Sequence, residues 1–410
     1  MRTTGQTDFR YPAASVALAG MTHDGNFIGN RVARLRTISA MSQQRLAELA
    51  GVTQPYIALI ESGRKPVTKR SLLYALANAL EVPYTELTEQ PLPPRNREDL
   101  LTYSAVASIR AALDYPDEPV RPRPRGELHR VTGQVMAARM ECDYAAVGAG
   151  LPALLAELRA AYDNGHPRWA GEMLVRALVT GSLTLKPVGW QDLAMRLAEQ
   201  ARIVAAQLGD ATSFAAAEFC YAQGVLASGS RRRSLAIARA AGAQVDPVSN
   251  DTRAWRAALF MHAGLSAAIL GDVTESDGFF TSAGVLAETV EGDPWLMEIN
   301  PANVDTWRVG AAVENGRPDR APVIAAQVDR RQLHTRQRRC RLDMDLGRGQ
   351  YLSGHPDRAV DSFLRAHEVA RLELRTRPSV IEIVSQMVRD TPSPSRELRT
   401  LAGHVGVAIL

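Results

Sequence analysis

The sequence predicts an all-α chain, with a head of five short helices followed by a long array of paired helices. Three observations carry this expectation. Apolar residues recur at helical spacing through almost every segment after Asn26, and no alternating strand pattern stands out. Hydrophobic residues make up 46% of the 410 but aromatics only 6%, which favours small-residue helix packing over a β-sandwich. Glycines at 229, 271, 316 and 354 are spaced by 42, 45 and 38 residues, as the turns of a repeated helical unit would be.

The chain is too long for one small domain, and its composition excludes wholesale disorder. Residues 1–25 carry no sustained pattern and are expected to form a disordered tail, with Met21 as an alternative start. Val16 to Ala19 is too short for a signal-peptide core, and no apolar run approaches the roughly 20 residues of a membrane helix. No membrane partner is expected. Cys142, Cys220 and Cys340 are odd in number and far apart, so a disulfide framework or metal knuckle is not expected. They are expected to be idle thiols in the reducing cytoplasm.

The first helix is predicted from Ile28, Val32, Leu35 and Ile38. Ser42 is placed to cap a second helix, whose apolar face is Leu46, Ala47, Leu49 and Ala50, and Gly51 ends it. Thr53 is expected to cap a third, with Pro55 in its first turn, where a missing N–H does no harm. Thr68 is expected to cap a fourth along Leu72, Leu73, Leu76, Ala79 and Leu80, and Pro83 opens a fifth ending near Leu87. Helix, glycine-centred turn, helix is the pattern of a helix-turn-helix. Its second helix enters the major groove by its N-terminal end. Thr53, Gln54, Pro55 and Tyr56 stand there, and Gln54 has the amide needed for a bidentate contact to adenine. Gln43 is placed for a phosphate, and Arg64, Lys65 and Lys69 follow the recognition helix as further phosphate contacts.

Charge agrees with this placement. The chain's net charge is +4, and residues 26–97 hold ten basic residues against five acidic ones. The remainder is close to neutral.

The run from Ser42 through Gly51 and Thr53-Gln54-Pro55-Tyr56-Ile57 to Ile60-Glu61-Ser62-Gly63-Arg64 resembles the Xre (Cro/CI-type) helix-turn-helix family. The resemblance covers Phe27 to Leu87. It implies a five-helix DNA-binding domain, with Gln43, Thr53, Gln54 and Tyr56 facing DNA and Glu61 in a structural role. Leu59 departs from the polar residue often found at its position.

Three prolines in residues 90–97 mark a stiff linker, so the head is expected over 26–89 and the helical body over 98–410. A second proline-rich stretch, 115–126, is expected to be a solvated loop. The body repeats a motif: Leu346-Gly347, Gly354, Ala359, Phe363, Ala366; and Phe260, Gly264, Gly271, Phe280, Ala283. These copies resemble tetratricopeptide repeats, implying an α-solenoid. A head and body of this build resemble the peptide-responsive regulators of Gram-positive bacteria and, more closely, regulators abundant in actinomycetes. The resemblance implies a homodimer on a pseudo-palindromic double-stranded DNA operator, with a peptide or small-molecule effector held in the body.

In such a solenoid the first helix of each repeat lines the concave face. Counting back from the turn glycines puts Asn303, Arg341, Met344, Arg348 and Tyr351 there as candidate effector contacts, beside Phe219, Gln223, Met261, Leu265 and Ile269. Arginines suit a carboxylate and Asn303 a backbone amide. Catalytic residues, metal ligands and cofactors are not expected: there is no Gly-Lys of a P-loop, no H-E-x-x-H and no G-x-S-x-G. His262 and His367 are expected to be packed or solvated. The expected function is ligand-controlled transcriptional regulation. The rival is an interaction scaffold whose body recruits a protein while the head tethers it to DNA.

Overall fold

The computed structural model describes residues 27–114 and 120–409; the expected N-terminal tail and part of the second proline-rich stretch lie outside them. The described chain is all-helical. The first five helices are α1 (Ile28–Ile38), α2 (Gln43–Ala50), α3 (Gln54–Glu61), α4 (Arg70–Ala79) and α5 (Tyr84–Thr88). They enclose their own core, in which Val32, Leu46, Ile57, Ile60, Leu76 and Leu87 are almost fully buried. Local signals set both ends of α2, whereas Thr53 takes the N-cap position of α3 but its side chain makes no capping bond. Ser42 Oγ accepts from the Arg45 N–H at 3.1 Å, and Gly51 stops α2 in the left-handed region at φ 69°.

The fourth helix departs from expectation. Thr68 does not cap it; Lys69 takes the N-cap position and its side chain makes no capping bond. The Arg70 N–H instead donates to Glu314 Oε2 at 3.0 Å, so a carboxylate 244 residues away caps α4. An anion at a helix N-terminus meets both free N–H groups and the positive end of the dipole.

The body continues through α6 (Arg97–Leu113), α7 (Arg125–Met140), α8 (Tyr144–Asp163), α9 (Arg168–Leu185), α10 (Gln191–Leu208) and α11 (Ala211–Ala227). Then follow α12 (Arg231–Gln244), α13 (Asn250–Leu270), α14 (Val273–Ala287), α15 (Pro301–Glu314) and α16 (Arg320–Gln327). The chain ends with α17 (Arg336–Leu352), α18 (Pro356–Val369), α19 (Arg371–Arg375), α20 (Pro378–Asp390) and α21 (Arg396–Val405). From α7 onward each helix packs on the next in sequence, while α6 packs on α8. The odd-numbered helices from α7 to α17 also pack one on the next, forming a continuous layer. The four turn glycines sit between α11 and α12, α13 and α14, α15 and α16, and α17 and α18, with φ from 78° to 85°. That conformation strains any side chain with a Cβ, which is why glycine punctuates each of these hairpins.

The small–large pairs of the repeat motif also meet. A Cβ at Gly264 would stand 2.9 Å from the Phe280 ring, and one at Gly347 would stand 2.6 Å from the Phe363 ring. Each glycine lets the second helix of its hairpin lay an aromatic ring against the backbone of the first. Gly347→Val is therefore expected to destabilise by about 1–3 kcal/mol through overpacking, measured by urea unfolding. The Arg123 side chain in the proline-rich stretch is not freely solvated: its Nε donates to both oxygens of Glu157, at 3.0 and 2.8 Å.

Candidate nucleic-acid interface and central cavity

The helix-turn-helix pair α2 and α3 exposes Thr53 and Pro55 and half-buries Gln43, Gln54 and Tyr56. A chain of polar contacts holds the two glutamines. Gln54 Nε2 donates to Gln43 Oε1 at 2.7 Å, and Gln43 Nε2 donates to Glu61 Oε2 at 2.7 Å. Arg36 closes the chain from α1, donating to both Glu61 oxygens at 2.6 and 3.0 Å and to the Met41 carbonyl at 2.8 Å. The hydrogen bond to Glu61 raises the Arg36 pKa. Both ends of the Gln43 amide are thus engaged within the protein, while Gln54 keeps its carbonyl and one N–H for an outside partner. An amide anchored through packed neighbours needs little further ordering when it meets an outside partner.

The eight basic residues of the head, 26–89, divide between several tasks. Arg34 and Arg45 pair with Glu86 and Glu48 at the surface, and Arg31 pairs with Glu89. Arg64 and Lys65 lie exposed just beyond α3. Lys69, expected at a phosphate, corrects the sequence reading: with Arg70 it lines a cavity between head and body, and its Nζ stands 3.0 Å from where a Cβ on Gly316 would be. The cause is the docking of α4 onto Glu314, which turns the start of that helix toward the body.

Docking uses a second carboxylate in the same way. The Ile28 N–H, at the start of α1, donates to Glu382 Oε1 of α20 at 2.8 Å, and burial pushes the Glu382 carboxyl up. Arg348, 1% exposed, donates to Glu314 Oε1 at 2.7 Å, Asp345 Oδ1 at 2.8 Å and the Thr68 carbonyl at 3.0 Å. Burial raises the Asp345 carboxyl, but Arg341 and Arg348 outweigh this and hold it well below the usual range.

The cavity measures about 190 Å³. Its body side comes from the odd-numbered layer: Phe219 and Gln223 of α11, His262 and Leu265 of α13, Trp307 of α15, and Arg338 and Arg341 of α17. Its head side comes from Lys69, Arg70, Tyr74 and Tyr84. Of the five candidate effector residues, Arg341 lines it, with its guanidinium 5.8 Å from the Trp307 ring centroid. The other four stand elsewhere. Asn303 is fully buried and donates to the Glu298 carbonyl at 2.8 Å. Met344 lies in the C-terminal apolar core, and Tyr351 packs on that core's edge. Arg348 is enclosed by its carboxylates. Met261 and Ile269 are core residues as well.

Lys186 and Arg377 line the cavity and were missed because nothing in their spacing marks them. His262 is buried with Nε2 2.9 Å from Ser234 Oγ, and burial pulls its pKa down to about 3. His367 stacks on His404 with ring centroids 3.6 Å apart. The three cysteines are unpaired. Among the described residues no group of three or more His, Cys, Asp or Glu side chains is placed to hold a metal, and no helix is long and apolar enough to cross a membrane.

Residues 28–90 match the family model described as a helix-turn-helix domain. The head is a helix-turn-helix domain. No curated relative matches the sequence. Among solved structures the chain is similar to PlcR of Bacillus thuringiensis, determined in complex with the peptide PapR7 and DNA. Identity is 11% and the TM-score 0.28, over 84% of this chain and 94% of that one.

Proposed function

We propose that the protein is a sequence-specific transcriptional regulator of Xre type. The helix-turn-helix head, residues 26–89, binds a pseudo-palindromic operator in double-stranded DNA. The tetratricopeptide-like body, 98–410, forms a homodimer and senses an effector in the cytoplasm. The observation that supports this reading most is the Arg36–Glu61–Gln43–Gln54 chain. It links the first turns of α2 and α3 and leaves Gln54 presented at the end of the helix that would enter the major groove. Thr53, Pro55 and Tyr56 flank it, and Arg64 and Lys65 supply phosphate contacts at the far end of α3. Lys69 is not part of the proposed contact set.

A gel shift against the gene's own upstream region tests the reading. Affinity should fall steeply as salt rises, because each phosphate contact releases counterions. Replacing Arg64 and Lys65 together by alanine should weaken binding to all sequences alike and flatten the log–log salt slope by about 1.8. Absent or salt-independent binding to every upstream fragment would reject the proposal.

A further inference from the structure

The central cavity carries an excess of positive charge that the protein does not balance. Lys69 and Arg70 approach it from the head, and Lys186, Arg341 and Arg377 from the body. Arg139 and Arg338 border it too, but their hydrogen bonds go to the Leu296 and Met297 carbonyls rather than to carboxylates. The one acid on the lining, Glu373, already accepts from Tyr144 Oη and, at 3.3 Å, from Gln337 Nε2. Behind the lining, Glu314 and Asp345 serve Arg70, Arg341 and the buried Arg348. Lys186 has Gln223 as its hydrogen-bond partner, and no carboxylate among the described residues pairs with Arg377. Burial and the charges of Arg70, Arg341 and Arg377 pull the Lys186 pKa down to about 7.

The same cavity has an apolar half formed by Tyr74, Phe219, Leu265 and Trp307. The Trp307 indole N–H and His262 Nδ1 are buried without a partner among the described residues. A second cavity, outside α1 and α20, provides contrast: it is larger, at about 510 Å³, but its lining balances Arg31 and Arg389 with Glu89 and Glu382. Charge excess therefore does not follow from burial alone in this fold.

We propose that the central cavity binds a small organic anion, a carboxylate or phosphate on an apolar body of about one ring, held between Arg70 of the head and Lys186 and Arg377 of the body. Size follows from volume: an apolar cavity of about 150 Å³ takes benzene, so 190 Å³ takes a ring and one anionic group while the head stays docked. Charge follows from chemistry, since clustered, half-buried cations are stabilised by an anion that accepts their N–H groups. Because the ligand touches both α4 and the concave layer, its binding favours the docked arrangement over any in which the head has swung away. This regulatory meaning rests on the DNA-binding reading above; the ligand chemistry does not.

The test is a thermal-shift and calorimetric comparison on the full-length protein with benzoate, phenyl phosphate, inorganic phosphate and the neutral benzyl alcohol. One or both aromatic anions should raise the melting temperature, with neither inorganic phosphate nor benzyl alcohol matching them. Lys186→Met and Arg377→Met, tested separately, should each weaken anion binding by about tenfold or more. Neither should lower the melting temperature of the free protein, because each removes an unbalanced cation. Equal shifts by anion and alcohol, no shift by any probe, or a response unchanged in both variants would overturn the proposal. A shift given only by longer peptides would overturn the size. Inorganic phosphate alone producing the whole shift would overturn the apolar part. Operator binding is scored separately by gel shift: anion binding without it leaves this site standing and removes the regulatory reading, and the converse removes only the site.

Discussion

Glu314→Ala is expected to lower the unfolding free energy by roughly 3–5 kcal/mol, the cost of removing one partner from a buried ion pair. Glu314 is fully buried at the end of α15 and serves three groups: Arg348 Nη2 at 2.7 Å, the Arg70 N–H at 3.0 Å and the Arg70 guanidinium at 3.7 Å. Alanine leaves Arg348 with Asp345 alone and α4 without its cap. Two readouts separate these losses. Urea unfolding reports the total, and limited proteolysis across 90–97 reports release of the head. Adding Arg348→Met should recover much of the lost stability, since neutralising both members of a buried pair is often nearly neutral. It should not restore the cap, so cleavage between head and body should stay fast. An unchanged unfolding midpoint in Glu314→Ala would mean that the carboxylate does not hold the head.

Gln54→Ala is expected to weaken operator binding by about 1–3 kcal/mol, roughly 5- to 150-fold, the worth of one bidentate base contact. Its loss should fall on the specific site and leave affinity for unrelated DNA almost unchanged. Arg64 and Lys65 should behave in the opposite way, which makes the two sets internal controls. Stability should hardly move, because Gln54 is only half-buried and its one internal bond is to the half-buried amide of Gln43, which keeps its bond to Glu61. Equal losses on operator and random DNA would assign Gln54 to the phosphates or to the fold.

The helix-turn-helix head was legible because its signals are local. Ser42, Gly51 and Pro55 act on the backbone within one turn of themselves, so their effect does not depend on the rest of the chain. The repeat was legible for the same reason at Gly271 and Gly354. There positive φ and, for Gly264 and Gly347, room for a ring from the next helix are properties of a single hairpin. Thr68 and Lys69 show where such reasoning stops. Both stand at the start of α4 with the sequence of a cap and a phosphate contact. The carboxylate of Glu314, brought from the far end of α15, replaces the cap and turns Lys69 inward.

Arg341 and Arg348 mark the same limit within the body. They lie two turns apart on one face of α17, and periodicity gives them the same address. Arg341 reaches the cavity beside Trp307, whereas Arg348 is sealed under Thr68, Glu314 and Asp345. By itself the sequence determined that the chain is helical, where the five head helices fall, and where four of the body's hairpins turn. Only the tertiary structure decided which cations are balanced, because packing selects the carboxylates: Arg341 and Arg348 find Asp345 within one turn, whereas Arg70 finds Glu314 244 residues away. The unbalanced set around Lys186 and Arg377 exists only where the concave layer and the docked head meet.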